Sequence, residues 1–235
     1  MMEKCKFIQV NSPEQGADQF YHLIKEELEN DRLHVLGLAT GSTMIPVYKK
    51  LTESALDFSN VTTFNLDEYV GLPASSPNSY AYFMKDNLFN KKTFKETNIP
   101  DGMASDLDTE CARYEAALQN AKLDIQLLGV GENGHIAFNE PGTPADSATH
   151  VATLTESTLG VNSQYFENDE KIPETALTMG IASILSAKKL VLLAFGEKKR
   201  PALMKVLEGK VDKDWTITYL LQHDDVTIIT DLDLK

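Results

Sequence analysis

The strongest constraint on this chain is an alternation of strand-length apolar runs with longer amphipathic stretches. Residues 6–10, 33–38, 61–66, 125–130, 189–195 and 226–230 read as strands, and 149–154 as a further one. Residues 13–30 read as a helix, with Ser12 as N-cap, Pro13 at its first position, and Phe20, Leu23, Ile24 and Leu28 recurring at helical spacing. Helices are also expected over 43–53, 78–89, 108–119, 175–186 and 197–208. Continuously apolar strands separated by helices imply an α/β fold, a largely parallel sheet with helices on both faces. No repeat, low-complexity tract or linker interrupts the pattern, so residues 1–235 are expected to form a single domain.

Charge and cysteine usage narrow the function classes. Lysine and arginine number 22 against 35 aspartates and glutamates, a formal net charge of -13. Such a surface repels nucleic acid and anionic lipid, so neither is expected as a partner. A phosphate-bearing ligand would need a local, preorganised site. Near the N-terminus the apolar run 7–10 is too short for a signal core or a membrane span. Cys5 and Cys111 lie far apart and in no C-x-x-C pattern, which points to reduced thiols in a cytoplasmic protein. No histidine–glutamate or histidine–cysteine spacing suggests a metal site, so no metal is expected.

In open parallel sheets, ligands bind beyond the carboxyl ends of the strands. Four such segments carry unusual chemistry. Thr40-Gly41-Ser42-Thr43 joins a strand to a helix; it reads equally as a phosphate cradle on helix N–H groups or as a capped tight turn. Asn65-Leu66-Asp67-Glu68-Tyr69 places two carboxylates at a strand end, either solvated loop charges or a partly buried general base. Gly129-Val130-Gly131-Glu132-Asn133-Gly134 matches G-x-G-x-x-G. Pro141, Gly142 and Pro144 leave little room for the helix a dinucleotide site needs, so a glycine-rich active-site loop ranks above it. That loop runs on to His135 and Glu140, which a turn can bring together; a lone His135 reads as structural, but a carboxylate beside it makes an acid–base pair. Gly196-Glu197-Lys198-Lys199-Arg200 opens a helix with three cations, which suits an anion or a solvated basic turn.

These residues resemble the glucosamine-6-phosphate deaminases. The resemblance rests on Phe64-Asn65-Leu66-Asp67-Glu68-Tyr69-Val70-Gly71-Leu72 and on Gly129-Val130-Gly131-Glu132-Asn133-Gly134-His135-Ile136-Ala137-Phe138-Asn139-Glu140-Pro141. It extends over nearly the whole chain, through the 40–43 loop, Asn78-Ser79-Tyr80 and Trp215-Thr216-Ile217. It implies a Rossmann-like fold and an aldose–ketose isomerisation coupled to deamination, with no cofactor, acting on a small amino-sugar phosphate. It implies Asp67 as the base at C2, His135 as the ring-opening acid/base, and Glu140 assisting it. Thr40, Gly41, Ser42, Thr43 and Lys199 would hold the phosphate, and Tyr80 would lie near the substrate in a mobile lid. The chain is expected to work as a monomer or small homo-oligomer.

Three positions depart from the family's commoner pattern. Asn133 stands where many members have aspartate, and so belongs with the catalytic set as a neutral replacement. Gln164 stands where many have a phosphate-contacting arginine, which puts more demand on Lys199. Met44 replaces a frequent proline. The chain ends soon after its last strand and lacks extra basic residues around His150, so no allosteric activator site is expected. Two rivals share the fold. A 6-phosphogluconolactonase would carry a different run after the histidine and lack the Asp67-Glu68-Tyr69-Val70-Gly71 pattern. A non-catalytic sugar-phosphate sensor would usually add a DNA-binding segment.

Overall fold

The computed structural model describes residues 5–163, 166 and 172–234, so Gln164 lies outside the described residues. Among the described residues, ten strands and seven α-helices follow in chain order: β1 (Cys5–Gln9), α1 (Pro13–Glu29), β2 (Val35–Leu38), α2 (Ile45–Glu53), β3 (Phe58–Asn65), β4 (Asp67–Tyr69), α3 (Tyr80–Met84), β5 (Phe94–Asn98), α4 (Leu107–Ala121), β6 (Ile125–Leu128), β7 (His150–Thr153), α5 (Glu156–Asn162), β8 (Thr175–Thr178), α6 (Ile181–Leu185), β9 (Lys189–Ala194), α7 (Arg200–Leu207) and β10 (Val226–Thr230). Seven strands form one sheet in the order β1-β10-β9-β6-β2-β3-β5. Every pairing in it is parallel. The expected α/β architecture is present.

The strands are apolar because both faces are covered. β2, β6 and β10 are buried along their whole length. On one side α1 packs on α2, and α2 on the π-helical turn Lys85–Phe89; on the other α4 meets α6, and the 3-10 turn Thr216–Gln222 meets α6 and α7. Ser12 caps α1 by accepting from the Gln15 N–H. The helix sinks Phe20 and Ile24, both fully buried, into the sheet. Truncating Phe20 to alanine would cost about 3–5 kcal/mol.

Three shorter strands form a separate antiparallel sheet, β4-β8-β7. It carries its own small core of Tyr69, Phe138, Ala152, Leu154 and Ala176. Here the sequence-based expectation needs correction. Residues 175–186 are not one helix: β8 pairs with β4 and β7, and only Ile181–Leu185 is helical. The break is at Gly180, where a Cβ would lie 2.1 Å from the Ser147 carbonyl oxygen, so only glycine allows that approach. The stretch 78–89 likewise divides into α3 and the π-helical turn.

The strand order fixes the site. β2 and β6 are neighbours, yet the chain leaves β2 toward β3 on one side and leaves β6 toward β9 on the other. Connections that diverge from adjacent strands open a crevice at the strands' carboxyl ends. The 40–43 loop and the 129–135 loop are its two lips.

Candidate active site

A cavity of about 450 Å³ lies in this crevice. Thr40, Gly41, Ser42, Thr43, Asp67, Tyr80, His135 and Lys199 all line it. Asn133 and Glu140 stand one layer back, behind the histidine. The four strand-end segments singled out in the sequence therefore converge on one place.

The 40–43 loop reaches the cavity through a glycine in a backbone region closed to other residues, Gly41 with φ +103. A 3-10 turn, Ser42–Met44, then leads into α2, so N–H groups at a helix start face the opening. Behind the loop the fully buried Tyr48 donates its hydroxyl hydrogen to the Ala39 carbonyl, which pins the strand end.

Asp67 opens β4, separated from β3 by Leu66 alone, and is 6% exposed. Burial, with the Glu68 carboxylate beside it, pushes the Asp67 carboxyl up to about 8. Its neighbour has a different task. The Glu68 carboxylate accepts from the backbone N–H groups of Tyr69 at 2.8 Å, Tyr80 at 2.9 Å and Ala81 at 2.8 Å. Successive residues of a strand point to opposite faces, so one carboxylate faces the cavity while the other holds the start of α3.

The glycine-rich segment starts no helix. The Gly131 N–H donates to the His135 carbonyl at 2.9 Å and closes a turn. A Cβ on Gly131 would lie 2.2 Å from Cε1 of His135, so this glycine lets the imidazole lie against the backbone. Gly134, with φ +82, makes room for the Trp215 ring, 2.5 Å from where its Cβ would be. Two of the three motif glycines are thus explained by packing within this loop and against Trp215, and the dinucleotide reading falls.

His135, Asn133 and Glu140 form a chain. His135 Nδ1 is 2.6 Å from Asn133 Oδ1, and Asn133 Nδ2 donates to Glu140 Oε2 at 3.0 Å. The direct separation of His135 Nδ1 from Glu140 Oε2 is 3.6 Å. The other Glu140 oxygen accepts from the Thr158 hydroxyl at 2.5 Å and the Thr155 N–H at 3.3 Å. Burial lowers the His135 pKa below the ordinary value; Glu140 opposes the change and Lys199 adds to it. The imidazole is therefore held neutral at physiological pH, the form suited to taking a proton.

Of the three cations that open α7, only Lys199 turns inward. Lys198 pairs with Glu132 at 3.0 Å on the surface, and Arg200 with Glu197 at 2.6 Å. Lys199 Nζ donates one hydrogen to the Val130 carbonyl at 2.8 Å, and burial lowers its pKa. An ammonium carries three N–H donors, so one such bond leaves others for a ligand.

Tyr80 enters from the side, in an aromatic wall. Its ring stacks on Phe138 with centroids 6.0 Å apart and leans on Tyr69 at 4.8 Å. Its hydroxyl is 3.4 Å from that of Tyr69, and Thr40 lines the same cavity. Ala137, a non-glycine residue with φ +50, also lines the cavity. Sequence reasoning did not single out Thr158, Phe138 or the separate part of Glu68. The only signal for Thr158 was the spacing Thr155-x-x-Thr158, a capping pattern at the start of α5.

Residues 11–229 match the family described as glucosamine-6-phosphate isomerases/6-phosphogluconolactonase. Over 216 residues the chain is 50% identical to the glucosamine-6-phosphate deaminase of Listeria monocytogenes serotype 4b (strain CLIP80459), with 92% of each chain covered. It also resembles the solved structure of a monomeric glucosamine-6-phosphate deaminase, with TM-score 0.92, 41% identity and 96% of each chain covered. A 6-phosphogluconolactonase from Thermotoga maritima shares the fold alone, at 19% identity and TM-score 0.76 over 96% of this chain and 97% of that one.

Proposed function

The chain belongs to the family of glucosamine-6-phosphate isomerases and 6-phosphogluconolactonases, and within it we propose a glucosamine-6-phosphate deaminase that forms fructose 6-phosphate and ammonia. The observation that carries the reading is that Asp67, His135 and Lys199 line one cavity with the 40–43 loop. The identity to named deaminases supports it, whereas the lactonase reading has only the shared fold in its favour.

The chemistry follows from the groups in place. The substrate is stored as a closed pyranose. His135 takes the proton of the O1 hydroxyl and returns it to ring oxygen O5, breaking the C1–O5 bond and giving the open aldehyde. The C2–H is then acidified by the neighbouring carbonyl. Asp67 removes it, the freed electron pair becomes a C1–C2 double bond, and the C1=O π pair moves onto O1, which takes a proton. Once the C2 ammonium has given a proton to solvent, return of a proton to C1 lets the amine lone pair form a C2 iminium. Water adds there and ammonia departs, leaving the ketone. Because water replaces nitrogen at C2, the reaction is a C–N hydrolysis as well as an isomerisation.

A carboxyl as basic as Asp67 is matched to abstraction near neutral pH. The substrate's ammonium group, arriving on C2, draws it toward the ionised form. Binding energy at the phosphate, gripped by the 40–43 loop and Lys199, holds C2 against Asp67. Glu140 and Asn133 act behind His135, and the Tyr80 segment closes the side as a lid.

No metal or redox cofactor enters these steps, and nucleic acid is not a partner. Free Cys5 and Cys111 support a cytoplasmic location. Likeness to a monomeric deaminase supports work as a monomer or small homo-oligomer. A coupled assay that follows fructose 6-phosphate and ammonia together tests the reading; equal release of both supports it, and lactone hydrolysis without ammonia release contradicts it.

A further inference from the structure

We propose that Glu68 is a positioning residue for this reaction: its carboxylate tethers the first turn of α3, and with it the Tyr80 wall of the cavity, to the strand that carries Asp67. The proposal rests on the deaminase reading for its kinetic readouts.

The geometry is unusual for a glutamate. Glu68 is 3% exposed, yet among the described residues it has no cationic partner in contact; instead its two oxygens take three backbone N–H groups. Those of Tyr80 and Ala81 are the first two of α3, groups that no carbonyl of the helix can reach. The helix already has a side-chain cap, since Ser79 accepts from the Tyr82 N–H. That cap leaves the first two N–H groups of α3 open, and Glu68 supplies their acceptors from another element. It joins that helix to β4, and β4 is where Asp67 sits. A buried carboxylate with no cation is costly, and burial raises the pKa of Glu68 despite its three donors. A glutamine of the same length could keep only one accepting oxygen, and its NH2 group would face a backbone N–H.

The tether has two consequences. It fixes the Tyr80 ring against Phe138 and Tyr69 and so sets the width of the cavity beside Asp67. It also keeps a negative charge next to Asp67, whose other titratable neighbours are Tyr48 on α2, Tyr80 on α3 and Tyr114 on α4. The phenols are neutral at working pH. Glu68 is thus the near charge that makes Asp67 harder to ionise.

Two variants separate the effects. Glu68→Gln keeps the length and loses the charge. Glu68→Asp keeps the charge and loses the reach. Both should raise KM for glucosamine 6-phosphate about tenfold, with kcat changing less, and both should speed amide hydrogen exchange across residues 77–84. Only Glu68→Gln should move the acid limb of kcat/KM to lower pH, by about half a pH unit or more. A KM within twofold of the parent in both variants, or an acid limb that moves equally in both, overturns the proposal. If Glu68→Gln fails to fold, KM and exchange in Glu68→Asp still decide. Exchange needs no turnover, so failure of the tether and failure of the deaminase reading give different results.

Discussion

Nδ1 of His135 lies 2.6 Å from Oδ1 of Asn133, and that contact sets which ring nitrogen does the chemistry. The amide orientation is fixed twice. A carboxylate only accepts, so the Asn133 NH2 faces Glu140 at 3.0 Å; and Oδ1 also accepts the His135 backbone N–H at 3.2 Å. An oxygen that can only accept requires hydrogen on Nδ1. The free lone pair of the neutral ring is therefore on Nε2.

Restoring a charge at this position should change the histidine more than the fold. In Asn133→Asp a carboxylate replaces the amide beside Nδ1, and an opposite charge at that distance favours the imidazolium. The His135 ring, followed by NMR titration, should take up its proton at a pH higher by about one pH unit or more than in the parent. An unchanged titration would show that Asn133 does not govern the ring.

Ring opening and proton abstraction should be separable. His135→Gln should slow reaction of the closed sugar phosphate by about 10²-fold or more, and that of an open-chain analogue far less. Parallel single-turnover measurements on both substrates check this. Equal losses would remove His135 from the ring-opening step.

Stability should report the buried Asp67 directly. Its carboxyl keeps its proton in the folded chain up to about 8, while in the unfolded chain it ionises near ~3.9. Across that window the folded state binds more protons. The stabilisation is whole below the unfolded value and is lost as pH rises through the folded one. Asp67→Asn lacks this loss, so its advantage in Tm over the parent should grow from about pH 4 to pH 8 and reach about 3 °C or more. Calorimetry at several pH values measures it; a constant difference would mean that Asp67 ionises normally.

At the far end of the substrate, Lys199→Ala should raise the inhibition constant of inorganic phosphate and the KM about tenfold, with kcat falling less. Gly41→Ala should act in the same direction, because alanine at φ +103 is strained by about 1–2 kcal/mol and displaces the N–H groups behind the phosphate. Inhibition by phosphate unaffected by both changes would move the anion elsewhere.

Much of the fold was legible because buried parallel strands are apolar runs, as 189–195 and 226–230 are. The missed strands lack that signature. β5 is an edge strand, Phe-Lys-Glu-Thr-Asn, largely open to solvent. β4 is three residues long, with two carboxylates among them. β8 carries apolar residues that continue into α6, and only the close approach of Gly180 to Ser147 separates them. In the site, the loops were readable because unusual side chains gather at strand ends. The division of labour between Asp67 and Glu68 was not, since both are carboxylates and only the arrival of α3 over one of them distinguishes the pair. Lys199 was named over Lys198 by the family resemblance alone; spacing does not separate them, because their partners, Val130 and Glu132, come from another strand's loop.

The claim at the centre is that Asp67 takes the C2 proton of a bound amino sugar. The most direct measurement is Asp67→Asn, assayed together for fructose 6-phosphate and ammonia release and for glucosamine 6-phosphate binding by calorimetry. Turnover should fall about 10³-fold or more while Kd stays within about fivefold of the parent. Turnover within tenfold of the parent, or binding lost along with it, would contradict the assignment.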